Sequence, residues 1–230
     1  MTYRRKETIG PHTLYLGDCL EILPTLGKVD AVVTDPPYGI EFDYESYDDT
    51  LENWLALVPA AVRAAKEIAP FVVLPCCSIM RLGWWYRELP PDWLIAWYQA
   101  GTPARRSKIG FNTWQALVCF GRPKVAMHDH FTTTDTPTPN GHTCPKPDGY
   151  ATWLSTRAAP HGGTIADPFM GSGTTGVACV KYGRKFIGIE IEPKYFDIAR
   201  RRIEEAWKQP RLFEEPRVKP VQQGLFTDAK

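Results

Sequence analysis

Short β-rich runs alternate with helical patterns along most of this chain, and two of those runs end in tracts of unusual chemistry. Residues 29–34 lead into Asp35-Pro36-Pro37-Tyr38, and residues 163–166 lead into Asp167-Pro168-Phe169-Met170-Gly171-Ser172-Gly173. Alternation of this kind implies a parallel-rich sheet joined by right-handed crossovers. In such sheets ligands bind, and chemistry is done, at the carboxyl ends of the strands. Asp-Pro-Pro-Tyr offers a fixed carboxylate, a rigid turn with outward carbonyls and a flat aromatic face, which is equipment for gripping a planar amine. The second tract offers a glycine loop that lets a cofactor approach the backbone. Together they predict an enzyme acting on a nucleobase.

Seven β-rich runs are expected, over residues 13–16, 29–34, 71–74, 93–98, 114–120, 164–166 and 186–189. Leu51, Trp54, Leu55, Val58, Val62, Ala65 and Ile68 recur at helical spacing. Asp49 with Glu52 three residues on predicts a capping box before that helix. Residues 174–182 read as a helix closed by Gly183. Pro193 opens another, with Tyr195, Ala199, Ile203 and Trp207 on one face. The stretch 93–120 holds two strands and no clear helix, which predicts an antiparallel pair at one edge of the sheet. The fold class is therefore α/β, a seven-stranded mostly parallel sheet with helices on both faces. Threonine, proline and asparagine crowd residues 132–143, which are expected to form a loop.

A chain of 230 residues fits one such domain, here residues 1–208 with a tail at 209–230. No apolar run approaches the roughly 20 residues that span a membrane. The basic start, Met1-Thr2-Tyr3-Arg4-Arg5-Lys6, leads into no apolar segment and is not a signal peptide. Cys19, Cys76, Cys77, Cys119, Cys144 and Cys179 show no metal-type spacing. A reduced, cytoplasmic protein without a metal site is expected. Net charge is only +1, but its distribution is uneven. Between Gly101 and Lys124 stand Arg105, Arg106, Lys108, Arg122 and Lys124 with no acid among them, interleaved with Phe111, Asn112 and Trp114. That run is read as a phosphate-contacting surface. The acidic run from Glu41 to Glu52 is read as solvated surface.

Both tracts, in this order and on expected strand ends, resemble the S-adenosylmethionine-dependent DNA amino-methyltransferases that modify adenine N6 or cytosine N4. The likeness covers roughly residues 14–207, and the tract order is the permuted order of that family's beta class. It implies a Rossmann-like class I methyltransferase fold with circularly permuted motifs. By residue, it implies Asp35, Pro36, Pro37 and Tyr38 at the target base. Asp35 and a proline carbonyl would accept the two amine hydrogens, freeing the nitrogen lone pair, while Tyr38 stacks on the ring. The base must then be flipped from the duplex.

The same likeness assigns Asp167, Phe169, Gly171, Ser172, Gly173, Thr174, Thr175 and Glu190 to the cofactor. Glu190, 23 residues beyond Asp167 at the next strand end, suits ribose hydroxyls. Asp18, in Leu14-Tyr15-Leu16-Gly17-Asp18-Cys19, resembles a motif that binds the cofactor's adenine, against the alternative of a turn aspartate. His142, Lys146 and Pro147 match a family element in part, which implies that Lys146 neutralises the methionine carboxylate. A glycine loop with Gly176 in the third position also fits a dinucleotide site; the Asp-Pro-Pro-Tyr partner argues against it. Pro75-Cys76 invites comparison with cytosine-C5 enzymes, but a structural thiol is the better reading.

In the family, aspartate at the first tract position accompanies adenine, which favours adenine N6 over cytosine N4. An enzyme acting on RNA bases and a non-catalytic DNA-binding relic also remain open. Residues 121–145 hold the expected target-recognition insertion. Its shortness suggests loose specificity or help from a second subunit, and a restriction-modification role fits the family. In the tail, Gln222-Gln223-Gly224-Leu225-Phe226 resembles peptides that dock on the bacterial sliding clamp, with Gln222, Leu225 and Phe226 as the contacting residues; self-packing or a homodimer contact competes with that reading.

Overall fold

The computed structural model describes residues 2–44, 47–76, 79–100, 105–106, 111–136 and 146–209. In chain order these comprise β1 (Arg5–Ile9), β2 (His12–Leu16), α1 (Cys19–Ile22), β3 (Ala31–Val33), α2 (Leu51–Ile68), β4 (Phe71–Cys76), α3 (Ile79–Glu88), β5 (Trp93–Gln99), β6 (Arg105–Arg106), β7 (Phe111–Asn112), β8 (Trp114–Gly121), β9 (His130–Thr133), α4 (Asp148–Ala158), β10 (Thr164–Asp167), α5 (Thr174–Lys181), β11 (Lys185–Glu190) and α6 (Pro193–Lys208). Lys108, His142, Cys77, Cys144, Gln222, Leu225 and Phe226 lie outside the described residues, and of Arg105 and Arg106 only the backbone is described.

The main sheet has nine strands in the order β1-β2-β11-β10-β3-β4-β8-β5-β9. Strands β2, β11, β10, β3 and β4 run parallel, as the alternation predicts. The expected antiparallel pair is present: β8 is antiparallel to both β4 and β5. It does not form the edge, however, because β9 adds to β5 in parallel. Two strands beyond the expected seven account for the difference. Strand β1 is mostly charged, alternates half-buried and exposed positions, and pairs antiparallel with β2, as a solvent-facing edge can. Strand β9 takes Thr132 and Thr133 out of the expected loop. Threonine is β-branched and favours strands, and Phe131 and Thr133 are buried on one side of it. That strand also lies within the expected recognition insertion.

Apolar residues cover both faces of the sheet. One core gathers Val33, Phe71, Ile95, Leu117 and Ile165 with Tyr150 and Leu154 of α4, Val177 of α5 and Phe196 of α6. The other sets Val32, Val72, Leu74 and Val118 against Trp54, Val58 and Val62 of α2 and Trp85 of α3. Fully apolar strand interiors such as Phe71–Cys76 are what burial on two sides demands. Cys76 is buried, and Cys19, Cys119 and Cys179 are free and buried, where burial pushes their thiols up to about 12, so these three sulfurs pack rather than react. Among the described residues no helix is long and apolar enough to cross a membrane, and no cluster of side chains could hold a metal ion.

Candidate active site

Strands β11, β10 and β3 are neighbours, so their carboxyl ends bring Glu190, Asp167 and Asp35 to one edge of the sheet. Asp167, the last residue of β10, is 2% exposed. Its Oδ1 accepts the Thr34 hydroxyl at 2.7 Å and the Phe169 N–H at 3.1 Å, and the carboxyl is also bonded by Thr175. Burial pushes its pKa up to about 6 against those hydrogen bonds. Thr34 directly precedes Asp35, so this contact ties the proline tract to the glycine loop.

The loop turns at Gly171 (φ 51°) and Gly173 (φ 79°), both left-handed. A Cβ at Gly173 would also stand 2.9 Å from the Ala199 Cβ, so glycine is required there twice over. Helix α5 starts immediately after it. Glu190 closes the far side: its carboxylate accepts the Gly171 N–H and the Glu192 N–H, each at 2.9 Å. Burial pushes it up to about 7. Asp18 follows β2, which pairs with β11 through Leu16 and Glu190, and its Oδ1 caps α1 by accepting the Leu20 N–H at 2.8 Å. The turn role foreseen for Asp18 is therefore present, at the same edge as Glu190.

On the other side of Asp167, Tyr38 donates its hydroxyl to Asp35 Oδ1 at 2.5 Å. Lys146 Nζ stands 2.5 Å from Asp35 Oδ2 and 3.0 Å from the Tyr38 oxygen, with its charge 5.3 Å from the centre of the Tyr38 ring. The Lys146 amine meets Asp35, the half-buried carboxylate nearest to it. All four tract residues and Lys146 thus converge at one end of the site, while Phe169 to Thr175 and Glu190 converge at the other.

A sequence profile of the DNA methylase family, the N6/N4 type, matches residues 95–201. The type II methyltransferase M.HinfI of Haemophilus influenzae is 23% identical over 262 residues, covering 86% of this chain and 70% of that protein. Among solved structures, the M1.HpyAVI complex with SAM superposes with a TM-score of 0.63 at 24% identity, over 83% of this chain and 98% of the other. The cytosine-N4-specific PvuII DNA methyltransferase does so with a TM-score of 0.68 at 14% identity, over 87% and 89%. Over residues 95–201 the chain carries the profile of the N6/N4 DNA methylase family. Its sheet and helices are those of a class I methyltransferase.

Three residues that shape the site carry no signal of that role in the sequence. Arg202 reaches back from α6 and donates through Nη1 to the Ser172 carbonyl at 2.5 Å, the Ser172 hydroxyl at 3.1 Å and Thr174 Oγ1 at 3.3 Å. Nothing distinguishes it in the run Arg200-Arg201-Arg202 until the helix is packed. Asp49 is 1% exposed and accepts the N–H groups of Gly39, Ile40 and Phe42 at 2.7, 3.1 and 3.2 Å. It is not the helix cap that the capping-box pattern predicts; Thr50 caps α2 by accepting the Asn53 N–H at 3.2 Å. Asp49 is drawn from capping to the loop after Tyr38, whose backbone N–H groups it accepts. Arg81 of α3 completes that support, donating to the Tyr38 and Gly39 carbonyls at 3.1 and 2.6 Å while lying 4.9 Å over the Trp54 ring.

Proposed function

We propose that this protein methylates the exocyclic amine of a base in DNA, with adenine N6 as the target and S-adenosylmethionine as the methyl donor. One observation carries the reading: the Asp35 tract and the glycine loop emerge from neighbouring strands and are joined by the Thr34–Asp167 hydrogen bond. An amine acceptor and a loop suited to a nucleoside cofactor are thereby held side by side. The residues fit that cofactor. Gly171 and Gly173 keep side chains out of the loop, and the buried Glu190 carboxylate stands at the strand end suited to ribose hydroxyls. When bound, S-adenosylmethionine supplies an electrophilic methyl on a sulfonium. Asp35 and the Pro36 or Pro37 carbonyl accept the amine hydrogens, drawing the nitrogen towards tetrahedral geometry so that its lone pair is available. Tyr38 stacks on the flipped base, and Arg81 and Asp49 hold the backbone that carries it. Asp18 lies beyond Glu190, where the cofactor's adenine would sit. Arg105, Arg106 and Lys108 contact phosphates.

Aspartate at position 35 favours adenine; cytosine N4 is the competing target, and the PvuII enzyme, which shares the fold, is specific for it. The test is transfer from methyl-labelled cofactor to unmethylated DNA, followed by hydrolysis to nucleosides. Label in N6-methyladenine is expected. Label in N4-methylcytosine would reassign the target, and unlabelled DNA would refute the function.

A further inference from the structure

Strand β5 runs parallel to β4, so its carboxyl end lies on the same edge of the sheet as Asp35. There Tyr98 of β5 and Trp114 of β8 are directly opposed partners in the antiparallel ladder. Opposed residues project from one face with Cβ atoms roughly 5 Å apart. Both rings are open to solvent, Tyr98 at 45% and Trp114 at 56%, whereas their ladder neighbours Trp97 and Ala116 are buried. Two large aromatics side by side in water form an apolar patch at the carboxyl end of a strand pair whose middle, Ile95, Trp97, Leu117 and Val118, is buried.

Their setting specifies what they meet. Register across β3, β4 and β8 puts Asp35 level with Pro75 and Leu117, so Trp114 lies two strands over and three residues further along. At ~4.8 Å between strands and ~3.4 Å per residue, that is on the order of 15 Å from Asp35. The Gln99 N–H also bonds the Thr113 carbonyl, and just before Thr113 in the chain β7, Phe111–Asn112, pairs with β6, Arg105–Arg106, in a separate two-stranded sheet. Residues 101–113 carry three cations, Arg105, Arg106 and Lys108, and no acid. An aromatic platform at the edge that carries Asp35, next in the chain to a cation-rich segment, has the two components of nucleic-acid binding, stacking faces and phosphate partners.

We infer that Tyr98 and Trp114 form a stacking platform for DNA bases next to the target, holding the strand from which the base is drawn into the Asp35 site. The inference rests on the function proposed above. Stacking on an aromatic face is worth a factor of about 5 to 150 per base, and it involves no phosphate neutralisation.

The full chain is compared with Tyr98→Ala/Trp114→Ala on sheared unmethylated genomic DNA, over a series of salt concentrations and with methyl-labelled cofactor. Affinity and transfer are expected to fall within that range, with the slope of log affinity against log salt unchanged. Cofactor binding and melting temperature are expected to stay those of the parent. Trp114→Phe should keep most of the activity, and Trp114→Gln, which is equally soluble but cannot stack as well, should lose it. Parent-like DNA binding and transfer in both the double variant and Trp114→Gln overturn the inference. So does a change of oligomeric state in light scattering, which would make the platform a contact between copies of the chain. If the parent protein itself transfers no label to DNA, the proposed function fails; if only the variants behave like an active parent, the platform alone fails.

Discussion

Lys146 Nζ lies 2.5 Å from Asp35 Oδ2, on the opposite carboxylate oxygen from the one that receives the Tyr38 hydroxyl. A donor of hydrogen bonds therefore stands at the acceptor that the target amine is proposed to use. The arrangement joins a residue just before α4 to the end of β3, and it places the Lys146 amine on the substrate side of the site.

Asp35→Ala is expected to lower methyl transfer by about 10²–10³, the scale of losing one acceptor or donor aimed at the reacting group. Cofactor affinity should be unchanged, because the glycine loop and Glu190 take no hydrogen bond from Asp35. Transfer kinetics together with cofactor titration measure both, and near-parental turnover would remove Asp35 from the chemistry.

Lys146→Ala should reduce transfer by roughly ten- to a hundredfold, the scale for hydrogen bonds to charged groups, and leave cofactor affinity near the parent value. The opposite split, weak cofactor binding with ordinary turnover at saturation, would return Lys146 to the methionine carboxylate.

Arg202→Ala removes the three contacts that hold Ser172 and Thr174. Cofactor affinity should fall by roughly tenfold or more while turnover at saturating cofactor changes little. Arg202→Lys keeps the charge but loses the planar fork, so an intermediate affinity is expected. Equal affinities in all three proteins, measured by calorimetry, would show that the loop holds its shape unaided.

Asp167 and Glu190 predict a pH dependence of stability. Burial raises both, to about 6 and about 7, so the folded cofactor-free protein binds their protons more tightly than the unfolded chain. That stabilisation is complete below about pH 4 and is lost as pH rises through 6 and then 7. Urea unfolding from pH 5 to 8 should therefore show a fall in stability that Glu190→Gln flattens in its upper half. Parent and variant with parallel pH curves would contradict the assignment.

Replacing Arg105, Arg106 and Lys108 by Ala should weaken DNA binding and flatten its salt dependence by up to about three phosphates' worth of slope. An unchanged slope would make this run ordinary solvated surface.

What the sequence disclosed follows a physical rule. Interior strands such as β4 and β10, and helices with an apolar stripe such as α2 and α6, are visible because one periodicity serves both local structure and core. Edge strands escape it: β1 is charged and β9 is threonine-rich, and each is a strand because a neighbour offers a free ladder. The site shows the same division. Asp35, Tyr38, Asp167, Gly171, Gly173 and Glu190 sit in compact tracts and are legible as such. Asp49, Arg81 and Arg202 act on backbone groups that reach them only after helices and loops have packed. Lys146 was legible as a site residue, but its partner was not, since Asp35 lies 111 positions away.

The bond from Thr34 to Asp167 spans 133 positions of chain and 2.7 Å of space. The Asp35 tract and the glycine loop are thus aligned through the side-by-side placement of β3 and β10, and no peptide linking the two halves has any part in it. Such an architecture is indifferent to which half is synthesised first. A gene could be cut and rejoined at another loop, exchanging the order of the two tracts, and the two tracts would remain side by side as they were. Strand adjacency, rather than chain order, is what selection on this reaction can act upon.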